Sequence, residues 1–195
     1  MSAIYPIFQY AYYVTHLEEA IHQWHELHGA GPFALARHHK AKHFQYRGTA
    51  QEADVSYAFG YLGDLQIQLI TQHDDTPSIY REMYQNHQSG FHHAGCLVND
   101  FAAARQRMLN LGFDNACELW ADGVNAAYFD TRNVNGGFTE IHGDPIHILT
   151  AFATWKRAHE NKKAGDSAIM TPGAPYPDGR DPDYLKIDTQ SKSTE

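Results

Sequence analysis

Apolar residues near the start of the chain recur first at every second position and then at every third or fourth. Residues 7–14 show the alternation that is typical of a strand. The next segment has the spacing of one helix face, formed by Leu17, Ala20, Ile21, Trp24 and Leu27. Thr15 and Glu18 have the spacing of a capping box at the start of this helix, and Gly29 marks its end. The pattern predicts a strand followed by an amphipathic helix.

The same order of elements occurs again in the second half of the chain. Residues 91–98 read as a strand. The apolar stripe of the helix that follows is formed by Phe101, Ala104, Met108 and Leu111, and Gly112 ends it. If Val14 is aligned with Val98, the apolar positions of the two helices coincide, beginning with Leu17 and Phe101. The chain therefore contains an internal repeat.

Three strand-like segments separated by turn residues follow each predicted helix. They are residues 33–38, 53–62 and 65–71 in the first copy, and 116–121, 126–131 and 138–142 in the second. Each copy reads β-α-β-β-β. Because one such unit leaves an apolar face open, we expect its twin to cover that face. The predicted fold is α+β, with paired βαβββ modules that form a curled mixed sheet around one cleft.

The repeat divides the chain into five parts. We expect a first βαβββ module over residues 1–75, a linker helix over 76–90, a second module over 91–144, a C-terminal helix over 145–160 and an extended or disordered tail over 161–195. The tail is rich in Lys, Gly, Pro, Asp and Ser, which do not bury enough apolar surface to offset chain entropy.

Composition narrows the classes of partner. The chain has 195 residues, is 43% hydrophobic and carries a formal net charge of −8, which disfavours nucleic acid and anionic membranes as partners. Two cysteines are too few for a disulfide framework, and neither a signal peptide nor an apolar run of roughly 20 residues is present. We expect a cytoplasmic homodimer that binds a small molecule.

Polar side chains occupy equivalent positions in the two copies. Gln9 aligns with His93 near the start of the first strand, and Gln68 aligns with Glu140 in the last strand. Because alternate residues of a strand share a face, these four side chains are expected to meet at the floor of the cleft. His92 is expected on the face opposite His93, in a structural or supporting role.

A metal ion is the simplest explanation for this set of donors. His93 would bind through an imidazole nitrogen, Glu140 through its carboxylate and the glutamines through their amide oxygens. Such a mixture suits a borderline or harder divalent ion. The alternative is that these residues are hydrogen-bonded polar groups of the protein, which is the commoner role of a polar residue in an apolar strand. The residues alone leave both interpretations open.

Three segments resemble a known family: FHHAGCLVNDFAAA from Phe91, YLGDLQIQLI from Tyr61 and AYFDTRNVNGGFTEIHGDP from Ala127. Over residues 6–145 the chain resembles the vicinal oxygen chelate superfamily of glyoxalases, bleomycin-resistance proteins and extradiol dioxygenases. It is most similar to the methylmalonyl-CoA epimerase-like and glyoxalase-like members. In this superfamily the metal ligands lie at positions that correspond here to Gln9, Gln68, His93 and Glu140.

The resemblance implies a divalent-metal-dependent isomerase, epimerase or lyase that abstracts a proton next to a carbonyl, through an enolate intermediate. The ion would be Zn, Mn, Co, Ni or Fe. Of the expected ligands only Glu140 can accept a proton, so it is the expected base, with His142 and Glu52 as weaker candidates. Aromatic strand residues would favour a bulky apolar or aromatic substrate if they line the cleft. They are Tyr12, Tyr13, Tyr57, Phe59, Tyr128 and Phe138.

Two other classes of function stay open. Gln9 stands where the family more often has His or Glu, and this favours a protein that binds a small molecule without catalysis. The third possibility is an Fe(II) extradiol dioxygenase, which needs two histidines and one carboxylate. Gln9 interrupts that triad, so we rank it lowest.

Overall fold

The computed structural model describes residues 5–39, 41–85 and 87–171. The strands within these ranges are β1 Ile7–Tyr13, β2 Ala34–His39, β3 His43–Tyr46, β4 Thr49–Ala50, β5 Val55–Leu62, β6 Leu65–Gln72, β7 Gly90–Val98, β8 Asn115–Ala121, β9 Val124–Phe129 and β10 Phe138–Gly143. The helices are α1 Leu17–His28, α2 Ile79–Met83, α3 Phe101–Asn110, α4 Arg132–Asn135 and α5 Ile146–Asn161. All six strand segments predicted to follow the two helices are strands, with ends that shift by a few residues.

The strands form one curled mixed sheet in the order β2-β5-β6-β1-β7-β10-β9-β8-β3-β4. Each half pairs its first and last strands in parallel, β1 with β6 and β7 with β10. The halves meet where β1 runs antiparallel to β7. This arrangement confirms the α+β fold of two βαβββ modules around one cleft. It also brings the first and last strands of both modules to the centre of the sheet.

Helices α1 and α3 cover the outer face of the sheet. The first module packs the buried side of α1, including Leu17 and Ile21, against Ile67 and Leu69 of β6. In the second module Ala104 and Met108 of α3 join another buried cluster. A different cluster lies along the centre of the sheet on the side of the cleft, with Ala11, Tyr13, Ile70, Tyr128 and Phe138 among its members.

The start of α1 differs from its prediction. The helix begins at Leu17 after His16, and the His16 side chain makes no capping hydrogen bond. The predicted capping box of Thr15 and Glu18 is therefore wrong. Helix α3 does have a side-chain cap, because the carboxylate of Asp100 accepts a hydrogen bond from the backbone N–H of Ala103.

The hairpin of β3 and β4 was not predicted. It belongs to the first module in sequence, yet β3 pairs antiparallel with β8 of the second module, with Phe44 in register with Leu119. The segment between β2 and β5 therefore crosses from one module to the other. This crossing closes one side of the cleft.

The segments outside the two modules are short or lie against the body. Helix α2 occupies only Ile79–Met83 of the predicted linker, and Ser78 caps it by accepting hydrogen bonds from the backbone of Tyr80 and Arg81. Beyond α5, Phe33 exchanges backbone hydrogen bonds with Ala168 and Met170. Residues 172–195, the greater part of the predicted extended or disordered tail, lie outside the described residues.

Helix α5 packs across the cleft onto the first module. His159 holds its end, since Nδ1 lies 2.7 Å from the carbonyl oxygen of Gly31 and Nε2 lies 3.0 Å from the backbone nitrogen of Gly63. Aromatic contacts add to this anchor, with Trp155 stacked on Phe59 at a ring-centroid distance of 5.0 Å. None of the described helices is long and apolar enough to cross a membrane.

Candidate functional site

Gln9, Gly95 and Glu140 lie side by side on the three central strands. In the register of the sheet Gln9 of β1 and Glu140 of β10 both pair with Gly95 of β7. A Cβ atom at Gly95 would lie 3.1 Å from both Gln9 Oε1 and Glu140 Oε2. The space that glycine leaves is therefore where these two oxygens approach each other.

His93 completes this group from the same strand. Its Nε2 lies 3.3 Å from Gln9 Oε1 and 3.3 Å from Glu140 Oε2. All three residues are buried, with His93 fully inaccessible to solvent. The structure thus brings three of the four predicted donors together.

The fourth predicted donor, Gln68, lies one row further along the sheet. It pairs with Ala11 of β1, and Ala11 pairs in turn with His93. Gln68 is 5% exposed, and its Oε1 is buried with no hydrogen-bond partner among the described residues. An unpartnered buried amide oxygen costs free energy, typically about 1–3 kcal/mol. This oxygen is therefore available to donate an electron pair to a bound metal ion or to accept a hydrogen bond from a ligand.

The amide of Gln9 has a fixed orientation. Its Nε2 donates a hydrogen bond of 2.5 Å to Gln66 Oε1, and Gln66 Nε2 donates one of 3.2 Å to the Tyr61 hydroxyl. Because the NH₂ group of Gln9 is used in this way, its oxygen is the atom that faces His93. Gln66 was not among the donors predicted from the sequence.

His92 was predicted on the opposite face and lies instead beside His93. Ala11 pairs with His93 whereas Tyr12 pairs with Phe91, so His92 is the extra residue of a β-bulge. The bulge interrupts strict alternation and places His92 Nδ1 2.8 Å from His93 Nδ1. The prediction of opposite faces is therefore wrong, while a supporting role for His92 fits this contact.

The partners of His92 determine which nitrogen of His93 carries hydrogen. His92 Nε2 lies 3.2 Å from the carbonyl oxygen of Ile79, which can only accept, so Nε2 carries the hydrogen. Burial, reinforced by the charge of His93, holds the pKa of His92 well below its usual value, so the ring is neutral and its Nδ1 accepts. The hydrogen in this contact must come from His93 Nδ1. His93 therefore carries a hydrogen on Nδ1 and turns Nε2 towards Gln9 Oε1 and Glu140 Oε2.

When Nε2 carries no hydrogen, three electron-rich atoms face each other here, and they repel unless a positive charge lies between them. A proton on His93 Nε2 would serve Gln9 and Glu140 but would leave Gln68 Oε1 without a partner. A divalent cation accepts all of these donor types. The residues present therefore fit a divalent metal ion.

Glu140 is held as a carboxylate. Burial raises its pKa, but the hydrogen bond and charge of His93, with smaller contributions from His142 and Tyr128, outweigh burial and lower the pKa overall. The Tyr128 hydroxyl donates a hydrogen bond of 2.8 Å to Glu140 Oε1. Burial, and then the charge of Glu140, raises the pKa of Tyr128 well above its usual value, so this hydroxyl remains a donor.

A cavity of about 910 Å³ opens above this group, and Gln9, Gln68 and Glu140 form part of its lining. Strands of both modules, the crossing segment and α5 surround it. Its apolar walls include Phe44, Tyr57, Phe59, Phe152 and Trp155. Its exposed rim is polar and includes His38, Lys42, His43, Glu52 and Asp122.

Sequence comparison identifies the family. Residues 8–129 match the family model described as the glyoxalase/bleomycin resistance protein/dioxygenase superfamily. The chain belongs to this superfamily. No curated protein matches it by sequence.

Solved structures of the superfamily share the fold. Methylmalonyl-CoA epimerase from Mycobacterium tuberculosis is 15% identical with a TM-score of 0.52, and the match covers 77% of this chain and 95% of that one. A hypothetical protein from Bacillus halodurans C-125 is 16% identical with a TM-score of 0.51, with 72% and 94% covered. At this identity the likeness shows the fold alone. Members of the superfamily commonly use a divalent metal and bind small molecules.

The two weaker candidates for the catalytic base, His142 and Glu52, both line the cavity. His142 Nδ1 lies 2.6 Å from the carbonyl oxygen of Gly143, so Nδ1 is the donor, and in the neutral tautomer the lone pair lies on Nε2. Glu52 is exposed.

Of the six predicted aromatic residues, Tyr57, Phe59 and Tyr128 line the cavity. Tyr12 packs against Trp24 on the outer side, and Tyr13 stacks on Tyr84. Phe138 is a fully buried residue of the core cluster on the cleft side. The aromatic lining is completed by Phe44 of the crossing segment and by Phe152 and Trp155 of α5, which were not predicted to line the cleft.

Proposed function

We propose that this protein is a divalent-metal-dependent isomerase, epimerase or lyase that abstracts a proton next to a carbonyl group of a bulky apolar or aromatic metabolite. The observation that carries the proposal is the convergence of His93 Nε2, Gln9 Oε1 and Glu140 Oε2 beneath the cavity. The proposed ligands are these three residues with Gln68, and the proposed ion is Zn, Mn, Co, Ni or Fe.

The chemistry that a bound ion would supply is polarisation of the substrate carbonyl, which makes the adjacent C–H more acidic. The protein supplies the rest. Glu140 brings the only carboxylate among the proposed ligands, so a divalent ion would keep net positive charge and attract an electron-rich carbonyl oxygen. The apolar walls exclude water from the bound substrate, which strengthens electrostatic interactions at the floor.

Two of the three base candidates that line the cavity lie on β10. Glu140 lies at the reacting end, but its lowered pKa and its hydrogen bond from Tyr128 make it a weak base unless it moves. His142 lies two residues further along β10, and its neutral tautomer with hydrogen on Nδ1 has a lone pair on Nε2 that can accept a proton. Glu140 remains the proposed base, and His142 is the alternative that the tautomer supports.

The cavity favours a large substrate. Its volume of about 910 Å³ is near the upper end of the range usual for small-molecule sites, about 300–1,000 Å³. The stacked pair of Phe59 and Trp155 offers a flat apolar wall, which suits an aromatic ring. One chain supplies both halves of this site, and a cytoplasmic homodimer remains a prediction that light scattering and cell fractionation would test.

Elemental analysis followed by solvent exchange tests this function. The purified protein should contain a stoichiometric divalent metal, and His93→Gln and Glu140→Gln should lose it while the exposed control His22→Gln keeps it. In D₂O the loaded protein should catalyse deuterium incorporation next to the carbonyl of aryl-substituted acyl compounds. Comparison of His142→Gln with Glu140→Asp would separate the two bases, since loss of exchange with metal retained identifies the base.

The rival is a binding protein that uses the cavity without catalysis, which the cavity volume and Gln9 support. This alternative predicts that the purified protein is free of metal, binds aromatic ligands tightly and catalyses no deuterium exchange. That result would end the enzyme proposal. The dioxygenase reading predicts oxygen uptake with catechols. We do not expect it, because both nitrogens of His92 have other partners and His93 is therefore the only histidine directed at Glu140 among the described residues.

A further inference from the structure

A second group of metal-binding side chains lies at one end of the first module. His38 belongs to β2, Asp54 directly precedes β5 and His73 directly follows β6. One possible ligand atom of each lies within 4.8 Å of those of the other two. None of these residues belongs to the group around Glu140, so this cluster is independent of the proposed catalytic site.

His38 and Asp54 are already in contact. His38 Nδ1 lies 2.9 Å from Oδ1 and 3.0 Å from Oδ2 of Asp54. A second carboxylate lies close by, because Asp74 Oδ2 accepts a hydrogen bond of 3.1 Å from the backbone N–H of Asp54. The cluster therefore combines two imidazoles with local negative charge, which favours a cation.

The backbone of β2 is diverted to bring His38 into this position. The pairing of β2 with β5 shifts register between Ala36 and His39, and His38 has a φ of 49°. This left-handed conformation is uncommon for a residue other than glycine. The N–H of His38 donates a hydrogen bond of 2.9 Å to Ser56 Oγ, which holds the diverted backbone.

Ser56 also contacts the second histidine. Its Oγ lies 2.7 Å from His73 Nε2. A hydroxyl oxygen can accept two hydrogen bonds, so it can accept one from His38 N–H and one from His73 Nε2–H. His73 would then keep a lone pair on Nδ1. Histidine ligands of metals are commonly oriented in this way, by a hydrogen bond from the other ring nitrogen.

We propose that His38, Asp54 and His73 bind a second divalent cation of the borderline type, of which Zn²⁺ is representative. Two imidazole nitrogens and one carboxylate are ligands that such ions prefer, and three protein ligands leave a coordination position open. His38 and His73 also line a smaller depression of about 340 Å³, and His38 and Asp54 line the large cavity. The ion would lie between the two openings and present positive charge to a ligand that enters the cavity.

Zinc binding to the metal-depleted full-length protein, measured by calorimetry and by elemental analysis after dialysis, tests this proposal. We expect binding in this cluster to persist in the His93→Gln/Glu140→Gln variant, where the catalytic site is disabled. Adding His73→Ala or Asp54→Asn to that variant should abolish it. Ser56→Ala keeps all three ligands, and we expect it to weaken this binding by about 10- to 100-fold through loss of the orienting hydrogen bond.

Titration with Co²⁺ supplies a second readout in the same background. Co²⁺ bound by nitrogen and oxygen ligands has d–d absorption bands, and these bands should disappear with His73→Ala. If the His93→Gln/Glu140→Gln background does not fold, the single variants are used, and each should remove one bound ion while the site around Glu140 stays loaded. His22→Ala, on the exposed side of α1, is the matched control and should change nothing. Zinc stoichiometry and affinity that are the same with and without His73→Ala and Asp54→Asn would overturn the proposal and leave His38 and Asp54 as a hydrogen-bonded pair.

Discussion

Nδ1 of His92 lies 2.8 Å from Nδ1 of His93, although consecutive residues of a regular strand point to opposite faces. The bulge in β7 produces this contact, and the carbonyl oxygen of Ile79 fixes its direction by accepting from His92 Nε2. His92 therefore acts on the central group through His93. It is a positioning residue in the proposed site.

Replacing His92 should weaken metal binding without removing a ligand. His92→Ala leaves His93 Nδ1–H without its acceptor, and we expect a loss of about 10- to 100-fold in affinity. His92→Asn restores an acceptor oxygen near the position of Nδ1 and should recover part of this loss. Competition with a chromogenic chelator measures both constants, and equal effects of Ala and Asn would contradict the tautomer argument.

Replacing Gln68 should change the stability of the metal-free protein and its metal affinity in opposite directions. Gln68→Leu removes the unpartnered buried oxygen, so we expect the metal-free protein to gain about 1–2 kcal/mol in free energy of unfolding, while metal affinity falls. Gln66→Leu is the matched control on the same strand face, and it should destabilise the protein because Gln66 is hydrogen-bonded on both sides. Urea unfolding of the metal-free variants gives both values. A destabilised Gln68→Leu would show that its oxygen has a partner in solution.

Gly95 should be sensitive to the smallest substitution. The Cβ of Gly95→Ala would lie 3.1 Å from Gln9 Oε1 and from Glu140 Oε2, so these oxygens must move apart. We expect metal affinity to fall by about tenfold, equivalent to about 1.4 kcal/mol. Gly143→Ala on β10 is the control, since its Cβ would meet the nearest atom at an ordinary 3.5 Å. Calorimetric titration compares the two, and equal affinities would show that the central oxygens are not constrained.

Acid should lower the free energy of unfolding by weakening a group of ion pairs that joins the crossing segment, α2 and the second module. Arg47 and Arg132 each form ion pairs with both Glu82 and Asp130, at distances of 2.5 to 2.9 Å. The hydrogen bond of Arg132 lowers the pKa of Asp130. Burial raises the pKa of Glu82, but Arg47 and Tyr46 outweigh burial and lower it overall.

Because both pKa values are lower in the folded state, the stabilisation is complete above the unfolded values of about 4 and is lost as the pH falls below them. Urea unfolding between pH 7 and pH 3 should show this loss. Glu82→Gln should reduce stability at pH 7 by about 1 kcal/mol and flatten the acid dependence. Glu26→Gln, on the exposed side of α1, should leave the curve unchanged. A curve for Glu82→Gln parallel to that of the unmodified protein would contradict the prediction.

Much of the fold was predictable because its elements have regular apolar periods. The spacing of Leu17, Ala20 and Ile21 identifies α1, and its return at Phe101 and Ala104 reveals the repeat. The β3–β4 hairpin escaped prediction because only Phe44 of β3 is buried and its partner strand belongs to the other module. Thr15 failed as a cap because the helix starts one residue later, after His16.

The candidate site also contains residues that the sequence predicted and residues that only the structure revealed. Repeat equivalence selected Gln9, His93 and Glu140, which the fold brings into contact, because residues at equivalent positions of two paired modules come close to the axis between them. Gly95 carries no side chain to recognise, and its importance comes only from the oxygens that approach it.

The sequence by itself determined the repeat, the α+β class and the four candidate donors, because periodicity and equivalence are properties of residue order. Only the tertiary structure decided how those donors are oriented. A bulge of one residue turned His92 towards His93, and a chain crossing between modules closed the cavity. Nor does residue order place His38, Asp54 and His73 together, since their contact depends on where three separate chain segments meet in space.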